Sequence, residues 1–206
     1  MNKNILVIAA LLLFSYIGYS QEPVHIGFKG GLNFANVVGG DTPDKTTGRV
    51  GFHAGFLAEF YISRSFGVQG EVLFSEQGFR FDEDVNGDGS KEELQINLNY
   101  INLPVLVKYY ITDEFTAILG PQIGVNIEGQ QEIINSPIGA GNERENLDLF
   151  NTLDFGGVIG LEYKSKEGFF AQGRYIIGAI SVFKSIEGQT VDVRNSVFQL
   201  SAGFQF

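Results

Sequence analysis

The chain has 206 residues, among them 27 Gly and 19 Phe, with 5 Pro, 1 Met, no Trp and no Cys. That length suits one domain with a substantial core, and the lack of Cys excludes a disulfide framework, a thiolate metal site and a thiol nucleophile. A formal charge of -10 argues against a nucleic-acid partner, which needs a basic face for its phosphates.

The first element reads as a cleavable signal peptide over residues 1–20. Asn2-Lys3-Asn4 is a short basic opening, and Ile5 to Phe14 is an apolar run too short to cross a bilayer as a helix. Gly18 and Ser20 are small residues placed for a cut before Gln21. Residues 21–206 then form a single domain. Removing Lys3 takes its charge near -11, that is, -10 minus one positive charge. No later apolar run approaches the roughly 20 residues of a spanning helix. An exported chain of this kind is a soluble fold or a β-barrel.

From Val24 the alternation of a strand is clear, since successive side chains point to opposite faces. Val24, Ile26, Phe28, Leu32 and Phe34 share one face, and His25, Lys29 and Asn33 the other. A polar loop follows over 36–49. The second strand runs from Val50 with Phe52, Phe56 and Phe60 against His53 and Glu59; the third has Phe66, Val68, Val72 and Phe74 against Gln69 and Glu71. An acidic loop occupies 82–95. The fourth strand, Tyr100 to Ile111, sets Ile101, Leu103, Val105, Val107 and Tyr109 against Asn102, Pro104, Leu106 and Lys108. The fifth, from Phe115 to Ile127, is followed by a loop over 128–152 without a clear period. The sixth and seventh carry Phe155, Ile159, Leu161 and Tyr163, then Phe169, Tyr175 and Ile177, with Glu162 and Arg174 on their opposite faces. A polar loop covers 184–194, and the eighth strand closes on Phe198, Leu200, Phe204 and Phe206.

Eight strands of about 9–11 residues, joined by alternating long and short connections, predict an all-β, eight-stranded antiparallel up-and-down transmembrane β-barrel. A lipocalin-like soluble barrel would turn the same faces the other way. Three features favour lipid on the apolar face. The mixed face is rich in Gly (Gly27, Gly31, Gly51, Gly55, Gly120, Gly124), as a narrow barrel interior requires. Phe60, Phe66, Tyr109, Phe115, Tyr163, Phe169 and Phe206 all sit beside a short turn or the C-terminus, at one rim, as an interfacial girdle does. Lys29, Lys108 and Arg174 match Glu59, Glu71 and Glu162 on the mixed face, and enclosed charges must be paired.

Gly-Phe-Lys-Gly-Gly-Leu-Asn-Phe (27–34), Tyr-Ile-Asn-Leu-Pro-Val-Leu-Val-Lys-Tyr-Tyr (100–110) and the terminal Gly-Phe-Gln-Phe (203–206) resemble the PorT-like outer-membrane β-barrel proteins. The resemblance implies an eight-strand barrel in the outer membrane of a Gram-negative-type cell. It makes Phe206 similar to the terminal aromatic read by the outer-membrane insertion machinery, and it brings no catalytic residues. Some relatives assist protein secretion.

The sharpest local motif is Asp82 to Glu93, which fits the calcium loop D-x-[DN]-x-[DN]-G-x₅-E. Asp82, Asp84, Asn86, Asp88, Ser90 and Glu93 are the candidate Ca²⁺ ligands, with Gly87 at the sharp turn. A solvated acidic hairpin tip is the alternative. His53 would need Asp41 or Asp44 to build a hydrolytic triad, and no nucleophile motif accompanies it; filling the lumen is the simpler role. The expectation is therefore a barrel without enzymatic activity or a required cofactor. Its lumen is filled by Lys29, Glu59, Glu71, Lys108, Glu162 and Arg174. Its surroundings are outer-membrane lipid, and any protein partner meets the outer loops. A small enzyme or ligand carrier with a pocket in the lumen, or a narrow passive channel, would read differently only in how that lumen is filled.

Overall fold

A computed structural model describes residues 24–42, 45–83, 92–135, 144–146, 149–185 and 191–206. The signal segment, 1–20, lies outside the described residues. The described chain forms nine strands: β1 (Val24–Val38), β2 (Thr47–Tyr61), β3 (Phe66–Glu83), β4 (Glu92–Tyr110), β5 (Phe115–Asn135), β6 (Arg144–Asn146), β7 (Leu153–Lys164), β8 (Phe169–Ser181) and β9 (Arg194–Gln205). No helix occurs among the described residues. Every neighbour pairing is antiparallel. The sheet runs β4-β3-β2-β1-β9-β8-β7-β5, and β4 pairs with β5 to close it into an eight-stranded barrel. The three-residue β6 adds only to the far end of β5, through Gln130–Glu132.

The faces fall as the alternation predicts for a barrel in lipid. Phe28, Leu32, Phe56, Val72, Val105, Leu119, Ile159, Leu161 and Phe169 are all exposed on the outer wall, Phe56 at 73% and Phe169 at 63%. Lys29, Asn33, His53, Glu59, Glu71, Lys108, Glu162 and Arg174 are buried inside. No water-soluble barrel sends its phenylalanines out and its lysines in. Glycine makes the interior fit: a β-carbon at Gly31 would meet the Leu200 carbonyl, and one at Gly55 the Val72 carbonyl.

The girdle near the short turns is built of cross-strand pairs in register. Phe66 lies against Tyr109 (centroids 5.2 Å apart), Phe115 against Tyr163 (5.2 Å), and Phe169 against Phe204 (4.8 Å), which in turn meets Phe206 (5.1 Å). The turns themselves are tight. Ser63 Oγ and Thr112 Oγ1 accept backbone N–H groups within their turns, and Gly168 takes a positive φ of 94°.

Three strands are much longer than the sequence reading made them. The expected loops 82–95 and 128–152 are in good part strand: β3 continues to Glu83, β4 begins at Glu92, and β5 runs to Asn135. The reason is a swap of chemistry along an unbroken strand. On β4 the outward face is apolar from Tyr109 to Ile101 and then becomes Asn99, Asn97 and Gln95, while the inward face changes from Lys108 and Asn102 to Tyr100, Leu98, Ile96 and Leu94. On β3 the outward series ends at Phe74 and continues with Glu76 and Arg80; the inward series passes from Gln77 to Phe79 and Phe81. On β5 a register shift opposite Asn99/Tyr100 leaves both Ile127 and Glu128 pointing out. About 10 residues cross a bilayer, and the swap comes about that far above the short turns. Below it the wall faces lipid. Above it the same strands face water on a polar side and enclose an apolar one.

Candidate functional site: the lumen and its outer cap

Three layers fill the barrel. The lowest is ionic. Lys29 Nζ donates to Glu71 Oε1 (2.8 Å), and Arg174 Nη1 donates to Glu71 Oε2 (2.8 Å). Lys108 Nζ lies between Glu59 (2.9 Å) and Glu162 (2.6 Å). Two glutamines join the halves. Gln69 donates to Glu71 (2.6 Å) and accepts from Lys108 (3.1 Å); Gln172 donates to Glu162 (3.0 Å) and accepts from Lys29 (2.9 Å). The structure thus brings all six charged residues read from the sequence into one hydrogen-bonded set, three of each sign. Burying charge is costly, and it is tolerated here because each group has an opposite partner and further hydrogen bonds. Tyr110 and Gln205 also donate to Glu59, and Lys164 at the mouth donates to Tyr61 (2.7 Å) and Gln205 (2.8 Å).

Next above it lies a layer of amides and hydroxyls that the sequence reading did not assign. His53 Nδ1 meets Asn33 Oδ1 (2.8 Å), and His53 Nε2 meets Ser201 Oγ (2.7 Å). Gln199 donates to Asn33 (2.7 Å) and accepts from Arg174. A hydrolytic triad would need Asp41 or Asp44 beside His53, and His53 lies buried in the lumen. Its partners are Asn33 and Ser201: Gly31 of β1 stands between His53 of β2 and Ser201 of β9 in the register, and Asn33 is the next residue along the same face of β1, while Asp41 accepts the Asp192 N–H (2.8 Å) in the outer turn. Asp44 lies outside the described residues. Serine, histidine and asparagine in this order are a nucleophile, a base and an orienting group. They are fully enclosed, however, and the β1 backbone at Gly31 presses on the Ser201 backbone so closely that not even a β-carbon fits between. An acyl substrate has no room there.

The upper layer is apolar. Val37, Phe79, Ile96, Leu98, Tyr100, Phe150, Val182 and Val193 pack into one buried cluster, with Phe81 and Phe183 against it. Phe150 and Phe183 stack at 5.5 Å and bridge the two outer loop segments through their backbones. The signal for this cap was present as Leu94, Ile96 and Leu98 alternating with Gln95, Asn97 and Asn99, a soluble-type strand with the opposite polarity to the one below it. Outside the cap the polar face forms a cross-strand ladder: Arg80 to Gln95 (2.7 Å), Gln95 to Asn97 (2.8 Å), Asn99 to Glu128 (2.8 Å) and Gln130 to Glu128 (2.6 Å).

Of the calcium loop, Asp82 and Glu93 stand opposite each other in the β3–β4 register. Asp84, Asn86, Asp88 and Ser90 lie outside the described residues. A groove of about 960 Å³ on the barrel opens on the lipid-facing wall by Ala117, Leu161 and Tyr175 rather than into the lumen.

A family model described as an outer membrane protein beta-barrel domain matches residues 19–184. No curated protein matches the chain. Among solved structures, Neisserial surface protein A is similar with a TM-score of 0.51 at 11% identity, over 89% of this chain and 97% of that one. OprG from Pseudomonas aeruginosa gives 0.49 at 11% identity, over 90% and 97%. Ail, the attachment invasion locus protein of Yersinia pestis, gives 0.48 at 17% identity, over 89% and 99%. At these identities the likeness is one of fold.

Proposed function

The chain belongs to the outer membrane protein beta-barrel domain family and resides in the outer membrane, and from that premise we propose that it is a closed barrel that conducts no solute and works through its outer face. The observation that carries this reading is the neutral, ion-paired set around Lys29, Glu71, Arg174, Lys108, Glu59 and Glu162 beneath an apolar cap. An ion passing through would have to break both layers. The ladder of Gln95, Asn97, Asn99, Glu128 and Gln130 forms a polar platform above the lipid, and a protein partner would meet the cell there.

The likeness of residues 27–34, 100–110 and 203–206 to PorT-like proteins supports an accessory role in protein secretion, with Phe206 engaging the insertion machinery during assembly. Residues 82–93 would bind Ca²⁺ at the tip of the platform, weakly, as extracellular sites do. Calorimetry at millimolar Ca²⁺ tests that part: the expected heat vanishes in a variant carrying Asp82→Asn and Glu93→Gln, and an unchanged heat removes the site. Single-channel recording in planar bilayers tests the closed lumen. The expected trace is flat for the wild type, and regular conductance steps would replace this reading with that of a narrow passive channel.

A further inference from the structure

The groove on the lipid-facing wall has a direction, and the direction bears on what fills it. Two neighbouring rows of outward side chains line it, each running across the strands in register. One passes through Tyr109, Ala117 and Gly173, the other through Val107, Tyr175 and Phe198. Ala117 and Gly173 are its low points. Leu119, Ile159 and Leu161 stand around them, each between 59% and 62% exposed. The side chains facing the groove are hydrocarbon, except for the Tyr109 hydroxyl at the rim and the Tyr175 hydroxyl, which pairs with Ser196 Oγ.

The rows climb away from the short turns. Tyr109 is one residue from the end of β4, whereas Phe198 is seven residues from the end of β9. The difference of six residues, at about 3.3 Å each and tilted by about 40°, is a rise of about 15 Å, half of a hydrocarbon core about 30 Å thick. The groove therefore starts at the girdle, by Phe66 and Tyr109, and ends near the middle of the membrane. Its mouth lies among charges. The Tyr110 N–H donates to the Ser65 carbonyl (3.0 Å), which ties the turn carrying exposed Arg64 to the end of β4. Asp113 and Glu114 are exposed in the turn that follows β4.

We propose that this groove holds one acyl chain of a zwitterionic phospholipid from the leaflet on the short-turn side, with the headgroup at the Arg64 turn. The groove is continuous with a wall that lipid already covers, and its depth is that of a single leaflet. An apolar chain laid along it gains the dispersion contacts that a bare depression forfeits. Arg64 suits the phosphate, and Asp113 and Glu114 suit an amine, as charge-assisted pairs do. A second barrel would bring a convex wall, which does not follow a long depression. This site goes beyond the closed-lumen reading and stands whether or not the barrel conducts.

The test uses the full barrel reconstituted in phosphatidylethanolamine vesicles, then released into detergent and weighed by native mass spectrometry. Wild type, Gly173→Leu, Ala117→Leu and Gly70→Leu are compared. A β-carbon at Gly173 meets only Leu200, at 3.7 Å, so the larger side chain fills the groove without strain. Gly70 faces lipid outside the groove, and a β-carbon there meets nothing within 4 Å, so it is a control of equal bulk. One phospholipid should stay on each barrel in the wild type and in Gly70→Leu, and be lost in Gly173→Leu and Ala117→Leu. A bare wild type, retention unchanged in Gly173→Leu, equal loss in Gly70→Leu, or paired barrels without lipid would overturn the proposal. If Gly173→Leu does not fold, Ala117→Leu takes its place. A phospholipid with a diazirine at the chain end should label Tyr175 and Phe198, and one with a diazirine beside the glycerol should label Phe66; the reverse pattern would overturn the assigned leaflet.

Discussion

At the scale of single residues, the same charge is worth very different amounts on the two sides of the wall. Glu71 is buried between Lys29 and Arg174, and Glu71→Gln would leave two enclosed cations facing a neutral amide. Breaking such a buried pair costs about 3–5 kcal/mol. Glu76 meets Arg49 at 3.7 Å in a partly wet setting, and Glu76→Gln should cost no more than about 1 kcal/mol. Urea unfolding from phospholipid vesicles reads both, and equal costs would mean that the lumen is wet. Ser201 offers a second check. It shares a hydrogen bond with His53 yet lies against closed backbone. A fluorophosphonate probe should leave Ser201 unlabelled in the folded barrel, and stoichiometric labelling would restore the reading of an enzyme with a pocket in the lumen.

At the scale of elements, β4 is the informative strand. It is 19 residues long, and only the lower half obeys the rule of apolar out and polar in. Val105→Arg places a cation against the hydrocarbon and should cost about 2–4 kcal/mol, whereas Asn97→Arg lies above the swap and should cost about 0–1 kcal/mol. Equilibrium unfolding from vesicles measures the two, and a large cost at Asn97 would move the membrane boundary upward. This strand also shows what the sequence displayed and what it hid. The lower halves of all eight barrel strands were legible because outward apolar residues repeat every second position, and the lumen charges were legible because they fall on the opposite parity. The upper extensions were not. A search for one continuous greasy face stops at Ile101 on β4 and at Phe74 on β3, where that face turns polar. The extra outward residue at Ile127 and Glu128 disguised the period of β5 in addition. The partners of His53 were hidden for another reason: Asn33 and Ser201 are 20 and 148 positions away, and only the closure of β1 onto both β2 and β9 brings them to it.

At the scale of the whole molecule, two opposite solvent rules are stacked along one barrel axis. The lower barrel is inside-out, with a neutral ionic core and a phenylalanine coat. The upper barrel is of the soluble kind, with an apolar cap and a polar ladder. On β3 and β4 the level at which one rule gives way to the other is set by side chains alone, since both strands pass through it with their inward and outward parity intact. Family membership and the closed eight-stranded sheet place the molecule in the outer membrane, and the swap says how deep it sits there. The most direct test is nitroxide accessibility along the outward positions of β4, from Gln95 to Tyr109, with the barrel in a phospholipid bilayer. Labels at Ile101, Leu103, Val105, Val107 and Tyr109 should favour collision with dissolved oxygen, and labels at Gln95, Asn97 and Asn99 with a water-soluble nickel chelate, crossing over between Asn99 and Ile101. A uniform profile along the strand, or preference for the nickel chelate at Val105, would contradict the account.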